Sequence, residues 1–298
     1  MSKTTATTTI TTNSDQVPFF QVRRKLYNII VRGFLRLTTL VTVGLLIFMI
    51  GYILINGLKH LTIPMLTTQS SYIEDTIGIF PNIMNTLYMI LISMLIALPL
   101  GIGAAVYLNE YATNRRLVTT IEFAAETLTG IPSIVFGLVG MLVFIHLFGL
   151  KQGVLAGSLT LVMIILPTII RTTQESLKSI PDDYRHGSLA LGSGKWHMVR
   201  TVVLPSAMDG IVTGSILAIG RIVGESAALL FTAGFGLRLN SLFKSLQRSS
   251  ASLTVALYVY VSERGEMEAG FAIAALLMLI TLLLNFAATY FGNKLKKR

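Results

Sequence analysis

The sequence predicts an all-α integral membrane protein with six transmembrane helices. Of its 298 residues, 53% are hydrophobic and only 13% are charged. The mean hydropathy is +0.70. Apolar stretches also recur at lengths of about 20 residues, which is the length that an α-helix needs to cross about 30 Å of hydrocarbon. A soluble domain of this size does not combine these three properties.

Six stretches meet the length requirement, and they cover residues 37–58, 83–108, 127–150, 152–170, 210–233 and 269–291. Four of them contain no charge, the third contains only His146, and the fifth contains Arg221 and Glu225. They divide the chain into a disordered cytosolic tail at 1–22, a basic leader with the first span and an outer loop at 23–70, and a core at 71–298. The core holds five spans and a cytoplasmic loop at 171–207.

The positions of lysine and arginine predict the orientation. With the N-terminus inside, 17 of the 24 basic residues lie on the cytoplasmic side, six lie outside and Arg221 lies in the membrane. Cytoplasmic loops carry such an excess. We therefore expect a multi-pass protein of the cell inner (plasma) membrane with both termini in the cytoplasm. The net charge of +10 follows from this topology, and no nucleic acid is expected as a partner because no basic patch is interleaved with aromatic residues.

Several classes of site are excluded by the residues present. The chain has no cysteine, and its four histidines lack the short spacing of metal ligands, so no metal or other cofactor is expected. The stretch 192–195, Gly-Ser-Gly-Lys, is half of a phosphate-binding loop. However, Leu189 stands where its first glycine belongs and Trp196 stands in place of the Ser or Thr. We therefore expect no ATP hydrolysis by this chain.

The cytoplasmic loop is predicted to form two short helices. Ser179 and Asp182 have the spacing of a capping box, with Pro181 in the first turn, and this predicts a helix over 181–191. Gly192 and Gly194 end that helix. A second short segment follows and is predicted to end at Leu204-Pro205, before the next span begins. Two such helices would make a rigid knob, although a plain surface loop fits the same pattern.

The spacing of Gly192, Val202 and Leu204-Pro205 resembles the loop of the permease subunits of bacterial ABC importers. That loop reads Glu-Ala-Ala, three residues, Gly, nine residues, an aliphatic residue, one residue, Leu-Pro. Here the triplet is His186-Gly187-Ser188, so the small residues persist but the acid is absent. The stretches "ALPLGIGAAVYLNEY", "LTGIPSIVFGLVG" and "GRIVGESAALLFTAG" are similar to the phosphate branch of this family, and the chain length is similar to its A-type permease.

This resemblance implies a type I (MetI-like) permease core that imports inorganic phosphate. It also implies a second, C-type permease, two ATP-binding subunits and a periplasmic or surface phosphate-binding protein, with membrane lipid around the spans. The loop would be the coupling helix that docks on the ATPase subunit. The residues assigned to that contact are Asp182, Tyr184, His186, Gly187, Ser188, Gly192, Lys195, Trp196, Leu204 and Pro205. The alternatives are import of sulfate or molybdate, and a membrane sensor scaffold that does not transport.

Two charges in the fifth span are the candidate substrate pathway. Arg221 and Glu225 are four residues apart, so on one helix they share a face. Buried charges must face the bundle interior, a watery path or each other. They could form a self-neutralising structural pair. Alternatively, the guanidinium binds an oxyanion, while the carboxylate accepts the hydrogen of a protonated phosphate and repels sulfate.

Three further features carry open alternatives. Gly220 and Gly224 form a notch that allows close helix packing. Gly130 and Pro132 interrupt the third span, either as an ordinary kink or as a break that turns amides toward an anion. The candidate gate residues are Glu126, Gly130, Pro132 and Arg171, although Glu122 and Glu126 could simply be solvated at the interface. On the outer side, apolar residues at 239, 242, 243 and 246 predict a helix that docks a binding protein or lies on the membrane.

Overall fold

The computed structural model describes residues 17–71, 76–237 and 245–296. Apart from one short β-hairpin, the regular structure in these ranges is helical. The chain divides into two compact units, Met1–Ile53 and Leu54–Arg298. The all-helical membrane fold predicted from composition is confirmed.

Helix α1 spans Val17–His60 and contains the predicted first span, 37–58. Its apolar side chains between residues 27 and 50 are largely exposed, as expected for a helix whose surroundings are lipid rather than protein. Residues 1–16 of the predicted disordered tail lie outside the described residues, whereas residues 17–22 already belong to α1.

The second unit continues with helix α2, Ile63–Thr67, and an antiparallel hairpin of β1, Gln69–Ser71, and β2, Thr76–Ile79. The long helices that follow are α3, Phe80–Val106, and α6, Val154–Lys178. The last helix of the chain is α13, Met267–Lys296. With α1, these helices are long and apolar enough to cross a membrane.

Two bent pairs overlap the predicted third and fifth spans. Helix α4, Arg115–Thr129, meets α5, Ser133–Gly140, at 104°, and α5 continues as π-helix through Met141–Leu147. The stretch Lys195–Ser206 meets α10, Met208–Gly224, at 65°. By length and composition alone, the described residues contain four spans, or up to six if each bent pair is counted as one.

The core of the second unit forms where α3, α6, α10 and α13 pack together. The closest approach is made by Gly210 and Gly214 of α10. A Cβ at either position would collide with Ser176 or Thr172 of α6. This small-residue contact holds two spans together, and small residues allow such contacts in lipid, where no hydrophobic force drives helices together.

Three predicted boundaries differ from the structure. Helix α6 continues to Lys178, so the first part of the predicted loop 171–207 extends a span. The predicted third span begins in α4 and breaks at residues 130–132. The predicted fifth span, 210–233, breaks after Gly224 and resumes as the short helix α11, Ala227–Thr232.

The segment 234–268, between the predicted fifth and sixth spans, contains a largely buried helix that no predicted element covers. Helix α12 spans Leu253–Tyr258 and continues as π-helix through Val259–Glu263. The Ser252 hydroxyl caps it by accepting from the amide of Val255. Its length of about 16 Å is half of what a span needs, so a search for long apolar stretches passes over it.

Candidate functional site

The helical loop, defined here as residues 182–206, follows directly from α6. It consists of α7, Asp182–Ala190, then α8, Lys195–Met198, a π-helical turn, Val199–Val203, and α9, Leu204–Ser206. Gly192 lies between α7 and α8 with φ +83. A side chain there would be strained in this left-handed conformation even though the space around it is open. The predicted pair of short helices divided at Gly192 is confirmed.

Two local predictions about this loop are wrong. Ser179 does not cap α7, because Pro181 is the N-cap residue and the Ser179 hydroxyl donates to the carbonyl of Ser176. Asp182 instead accepts from the guanidinium of Arg185. Leu204-Pro205 also does not end the helical segment. It begins the helical turn α9, and the chain bends after it, around Ala207.

The tip of the helical loop exposes large apolar side chains. Leu191 is 90% exposed and Trp196 is 64% exposed, and Tyr184 and Leu189 are exposed as well. Behind the tip, the Ser193 hydroxyl donates to the carbonyl of Ser188 and closes the turn. His186 and Gly187 lie on the exposed surface of α7. The tip therefore presents apolar and aromatic groups on a turn that is closed by its own hydrogen bonds.

A buried ion pair fixes the base of the helical loop. The Arg185 guanidinium donates to Glu110 Oε1 at 3.0 and 3.1 Å, and the two side chains are only 14% and 5% exposed. The same guanidinium donates to the carbonyls of Leu177 and Ile180 at 2.8 Å. Asn109 donates to the same Glu110 oxygen at 2.7 Å. Glu110 lies in the π-helical end of α3, Tyr107–Tyr111, so the pair joins α3 and α6 to α7.

Glu110 and Arg185 are absent from the predicted site residues. Glu110 lies just beyond a predicted span and Arg185 lies in the predicted helix of the loop, and charged side chains are common at both kinds of position. The signal that could have found them is the acid in "YLNEY" next to an apolar span, together with an arginine in the predicted helix of the loop. Their contact joins positions 75 residues apart in the chain, which local patterns do not show.

The predicted shared helix face of Arg221 and Glu225 is wrong. Helix α10 ends at Gly224, and Glu225 adopts an extended conformation with φ -81 and ψ 120. Glu225 is 8% exposed, its carboxylate accepts from the amide of Ala228 at 3.1 Å, and its carbonyl accepts from the Thr254 hydroxyl at 2.8 Å. The carboxylate therefore caps α11 across the break. The periodicity of the sequence does not reveal that the amide of Ala228 needs this acceptor.

Arg221 remains in the last turn of α10 and is partly exposed. Its side chain forms no ion pair or hydrogen bond with the residues that the structure describes. Gly220 and Gly224 flank it, and a Cβ at either position would meet nothing within 4 Å. The predicted notch is thus not used for packing within the described chain, and it leaves this side of α10 open beside an uncompensated cation.

Exposed ion pairs fasten α4 to α6. Arg171 Nη1 lies 3.2 Å from Glu126 Oε1, and its Nε donates to Glu175 at 3.0 Å. Lys178 Nζ lies 2.7 Å from Glu122 Oε1. These five side chains, with Gln174, line a cavity of about 200 Å³. We refer to Glu122, Glu126, Arg171, Glu175 and Lys178 as the exposed cluster.

The break that precedes α5 lies at the end of α4, next in the chain to Glu126. Gly130 is the C-cap residue of α4, and Pro132 is the N-cap residue of α5. The turn between them produces the 104° bend. Of the four candidate gate residues, Glu126 and Arg171 are in contact. Gly130 and Pro132 instead set the direction of α4 relative to α5.

At the other end of α3, buried polar side chains hold the segment before α12. Asn82 and Asn85 donate to the carbonyl of Ala251, and Thr86 accepts from the amide of Leu253. The predicted helical stripe at 239–246 falls mainly on residues 238–244, which lie outside the described residues. Arg248, which follows it, is exposed.

Comparison with known proteins identifies the family. A family model described as the binding-protein-dependent transport system inner membrane component matches residues 97–297. The chain belongs to this family. The matched region includes the helical loop, the exposed cluster and the break after α10, so each feature described above except the segment at Asn82 to Thr86 lies within the family domain.

Individual relatives agree with this assignment. The chain is 37% identical over 290 residues to the "Probable ABC transporter permease protein YqgI" of Bacillus subtilis (strain 168), with coverage of 93% of this chain and 99% of that protein. It is 32% identical to the "Phosphate transport system permease protein PstA" of Pasteurella multocida (strain Pm70), with coverage of 81% and 86%.

A solved structure shares the fold. One chain of a bacterial ABC transporter involved in the import of alginate matches with a TM-score of 0.62 at 12% identity, covering 91% of this chain and 99% of that chain. At this identity the likeness establishes the fold alone. The protein is therefore a multi-pass membrane component with the ABC permease fold.

Proposed function

We propose that this chain is a permease subunit of an ATP-driven importer and that it moves inorganic phosphate into the cytoplasm. The observation that carries the proposal is its similarity, over most of both chains, to a phosphate transport system permease protein. The proposed assembly contains a second permease, two ATP-binding subunits that hydrolyse ATP, and a phosphate-binding protein outside the membrane. Family membership supports a dependence on a binding protein.

The proposed contact with the ATP-binding subunit is the exposed tip of the helical loop around Tyr184, Leu191 and Gly192. Apolar and aromatic side chains that stay exposed on a rigid turn are typical of an interface. The buried pair of Glu110 and Arg185 fixes the base of the loop to α3 and α6. Movement of the tip is therefore proposed to reach the spans as a displacement of a rigid body.

The proposed anion contact is Arg221. Its guanidinium is the side-chain cation in the described residues of α10, and it has no carboxylate partner there. A planar guanidinium binds an oxyanion through paired hydrogen bonds. Glu225 keeps its place in the proposed pathway as a positioning residue, since its carboxylate holds the break between α10 and α11 next to Arg221.

The proposed orientation places both termini and the helical loop in the cytoplasm. Ser179 is exposed at the end of α6, and Gln247 is exposed beyond the break on the other side. Single cysteines at these positions should react with a membrane-impermeant maleimide from opposite sides, because the parent chain has no cysteine. Ser245 is unsuitable for this test, since it is fully buried. Labelling of both positions from the same side would refute the orientation.

Reconstituted uptake tests the substrate. The complex of both permeases, the ATP-binding subunits and the binding protein is reconstituted in proteoliposomes. With ATP on the side of the membrane where the ATP-binding subunits lie, radiolabelled phosphate should accumulate on that side. Unlabelled phosphate should compete, and equal concentrations of sulfate or molybdate should not. Competition by sulfate or molybdate would instead identify another oxyanion. Assembly without accumulation of any of the three would favour a sensor scaffold.

A further inference from the structure

A groove runs between the end of α3 and the helical loop. It has a volume of about 540 Å³, and its lining includes Pro99, Gly103, Tyr107, Tyr111, Trp196 and Arg200. Apolar atoms form most of its wall. Tyr107, Tyr111 and Trp196 are exposed at its edge. The groove is separate from Arg221 and from the exposed cluster, and it shares Trp196 with the tip of the helical loop.

The length of the groove fits a hydrocarbon chain. From Pro99 to Tyr111, α3 and its π-helical end extend about 18 Å at about 1.5 Å per residue. One leaflet contributes about 15 Å of hydrocarbon, half of the bilayer core. With Tyr111 at the cytoplasmic headgroup level, as the proposed orientation requires, Pro99 would lie near the depth of the bilayer centre, and tyrosine and tryptophan rings are enriched at the headgroup level.

Two cationic side chains lie at the groove. Arg200 lines the groove, and Lys195 Nζ lies 5.0 Å from the centre of the Tyr111 ring. Neither cation forms an ion pair with a residue in the described ranges. The neighbouring acid Glu110 is already bound to Arg185. The groove therefore has two cations available to complement an anion.

We propose that the groove binds one anionic phospholipid, with an acyl chain along α3 and its phosphate at Arg200 and Lys195. The inference rests on the proposed orientation, which places this end of α3 in the cytoplasmic leaflet, where anionic lipids attract basic residues. The bound lipid contacts a span and the helical loop at once. It therefore links the lipid composition of the membrane to the element proposed to receive the movement of the ATP-binding subunit.

The single tryptophan of the chain provides a direct probe. The full-length chain is reconstituted in phosphatidylcholine nanodiscs that contain a small fraction of either brominated phosphatidylglycerol or brominated phosphatidylcholine. Bromine quenches the fluorescence of Trp196 on contact. Two cations near the headgroup favour the anionic lipid by on the order of tenfold, so brominated phosphatidylglycerol should quench at about a tenfold lower mole fraction.

Two variants separate the acyl site from the phosphate site. Gly103→Leu should fill the groove, because a Cβ there meets nothing within 4 Å and the fold need not adjust. Quenching by both brominated lipids should fall. Gly44→Leu is the matched control, since its Cβ is equally free and it lies in α1, outside the groove. Arg200→Gln combined with Lys195→Gln should keep the quenching by both lipids but remove the tenfold preference.

Three results would overturn the proposal. The first is equal quenching by both lipids in the parent chain. The second is a Gly103→Leu variant, shown to be folded by its circular dichroism, whose Trp196 fluorescence is quenched as strongly as that of Gly44→Leu. The third is loss of quenching when the second permease, with its tryptophans changed to phenylalanine, is added, which would assign the groove to a protein contact. The readout needs neither ATP nor phosphate, so failure of the proposed transport function leaves it intact.

Discussion

The chain pairs its charges in two settings, one shielded from solvent and one exposed to it. Before α4, Glu110 is buried and accepts from Arg185 and Asn109, with each donor at 3.1 Å or less. After the middle of α4, the exposed cluster joins α4 to α6 through side chains that remain in contact with solvent. Both sets pair acids with bases, but water can replace the partners only in the second.

The difference separates a fixed joint from one that can open. Breaking a buried pair leaves an unpaired charge away from water, which is strongly unfavourable. Exposed pairs contribute little to stability and exchange readily with water and salt. We therefore infer that the buried pair keeps the helical loop attached to the spans throughout transport, while the exposed cluster can separate and re-form.

The largest effect is expected from Glu110→Ala, which removes the buried carboxylate partner of Arg185 and leaves the guanidinium with only the exposed Asp182 and two backbone carbonyls. The free energy of unfolding should fall by about 1.5 to 3 kcal/mol, the usual loss of a hydrogen-bonded charged partner, measured by thermal unfolding in detergent and by abundance in the membrane. Glu126→Ala, which removes an exposed acid, is the matched control and should change the unfolding midpoint little. Equal losses in the two variants would remove the distinction between the two sets.

A second variant of the buried pair tests its role in coupling. Glu110→Gln together with Arg185→Met removes both charges, so the penalty of an unpaired charge disappears and abundance should recover substantially. Uptake per ATP hydrolysed should stay low, because α7 is no longer held to α3. A double variant that transports at the parent ratio would assign the pair to stability alone.

An intermediate effect is expected at Glu225, a second carboxylate shielded from solvent. Glu225→Ala removes the acceptor for the Ala228 amide and should lower stability by about 1 kcal/mol, the usual loss when a helix cap is removed. Glu225→Gln keeps an acceptor oxygen and should stay close to the parent protein in unfolding midpoint and uptake. If the Gln variant loses uptake as fully as the Ala variant, the negative charge is required rather than the cap.

The smallest effect on stability is expected in the exposed cluster. Arg171→Gln should leave the unfolding midpoint of the chain almost unchanged, because its partners are solvated. If the cluster acts as a gate, the assembled complex should hydrolyse ATP several-fold faster without the binding protein. Raising salt should produce the same increase in the parent and a smaller one in the variant. Unchanged basal hydrolysis in both tests would exclude a gate at this position.

Composition and the length of apolar stretches were enough to predict the membrane fold, because lipid demands long apolar helices. The division of the helical loop at Gly192 was also predictable, since glycine there relieves a left-handed backbone. The break after Gly224 was not, because an apolar stretch looks continuous even where a buried carboxylate replaces the helical hydrogen bonds. The contact between Glu110 and Arg185 depends on how distant segments meet, and helix α12 is too short to be detected as a span.

The central claim is that an anion crosses the membrane beside Arg221. The most direct measurement is ATP-driven phosphate uptake by the reconstituted complex that carries Arg221→Gln, with ATP hydrolysis recorded in the same vesicles. Arg248→Gln, which removes an exposed arginine outside the spans, is the control. We predict that Arg221→Gln keeps stimulated ATP hydrolysis and loses nearly all phosphate uptake, while the control keeps both. Uptake near the parent rate in Arg221→Gln, at equal abundance in the membrane, would contradict the account.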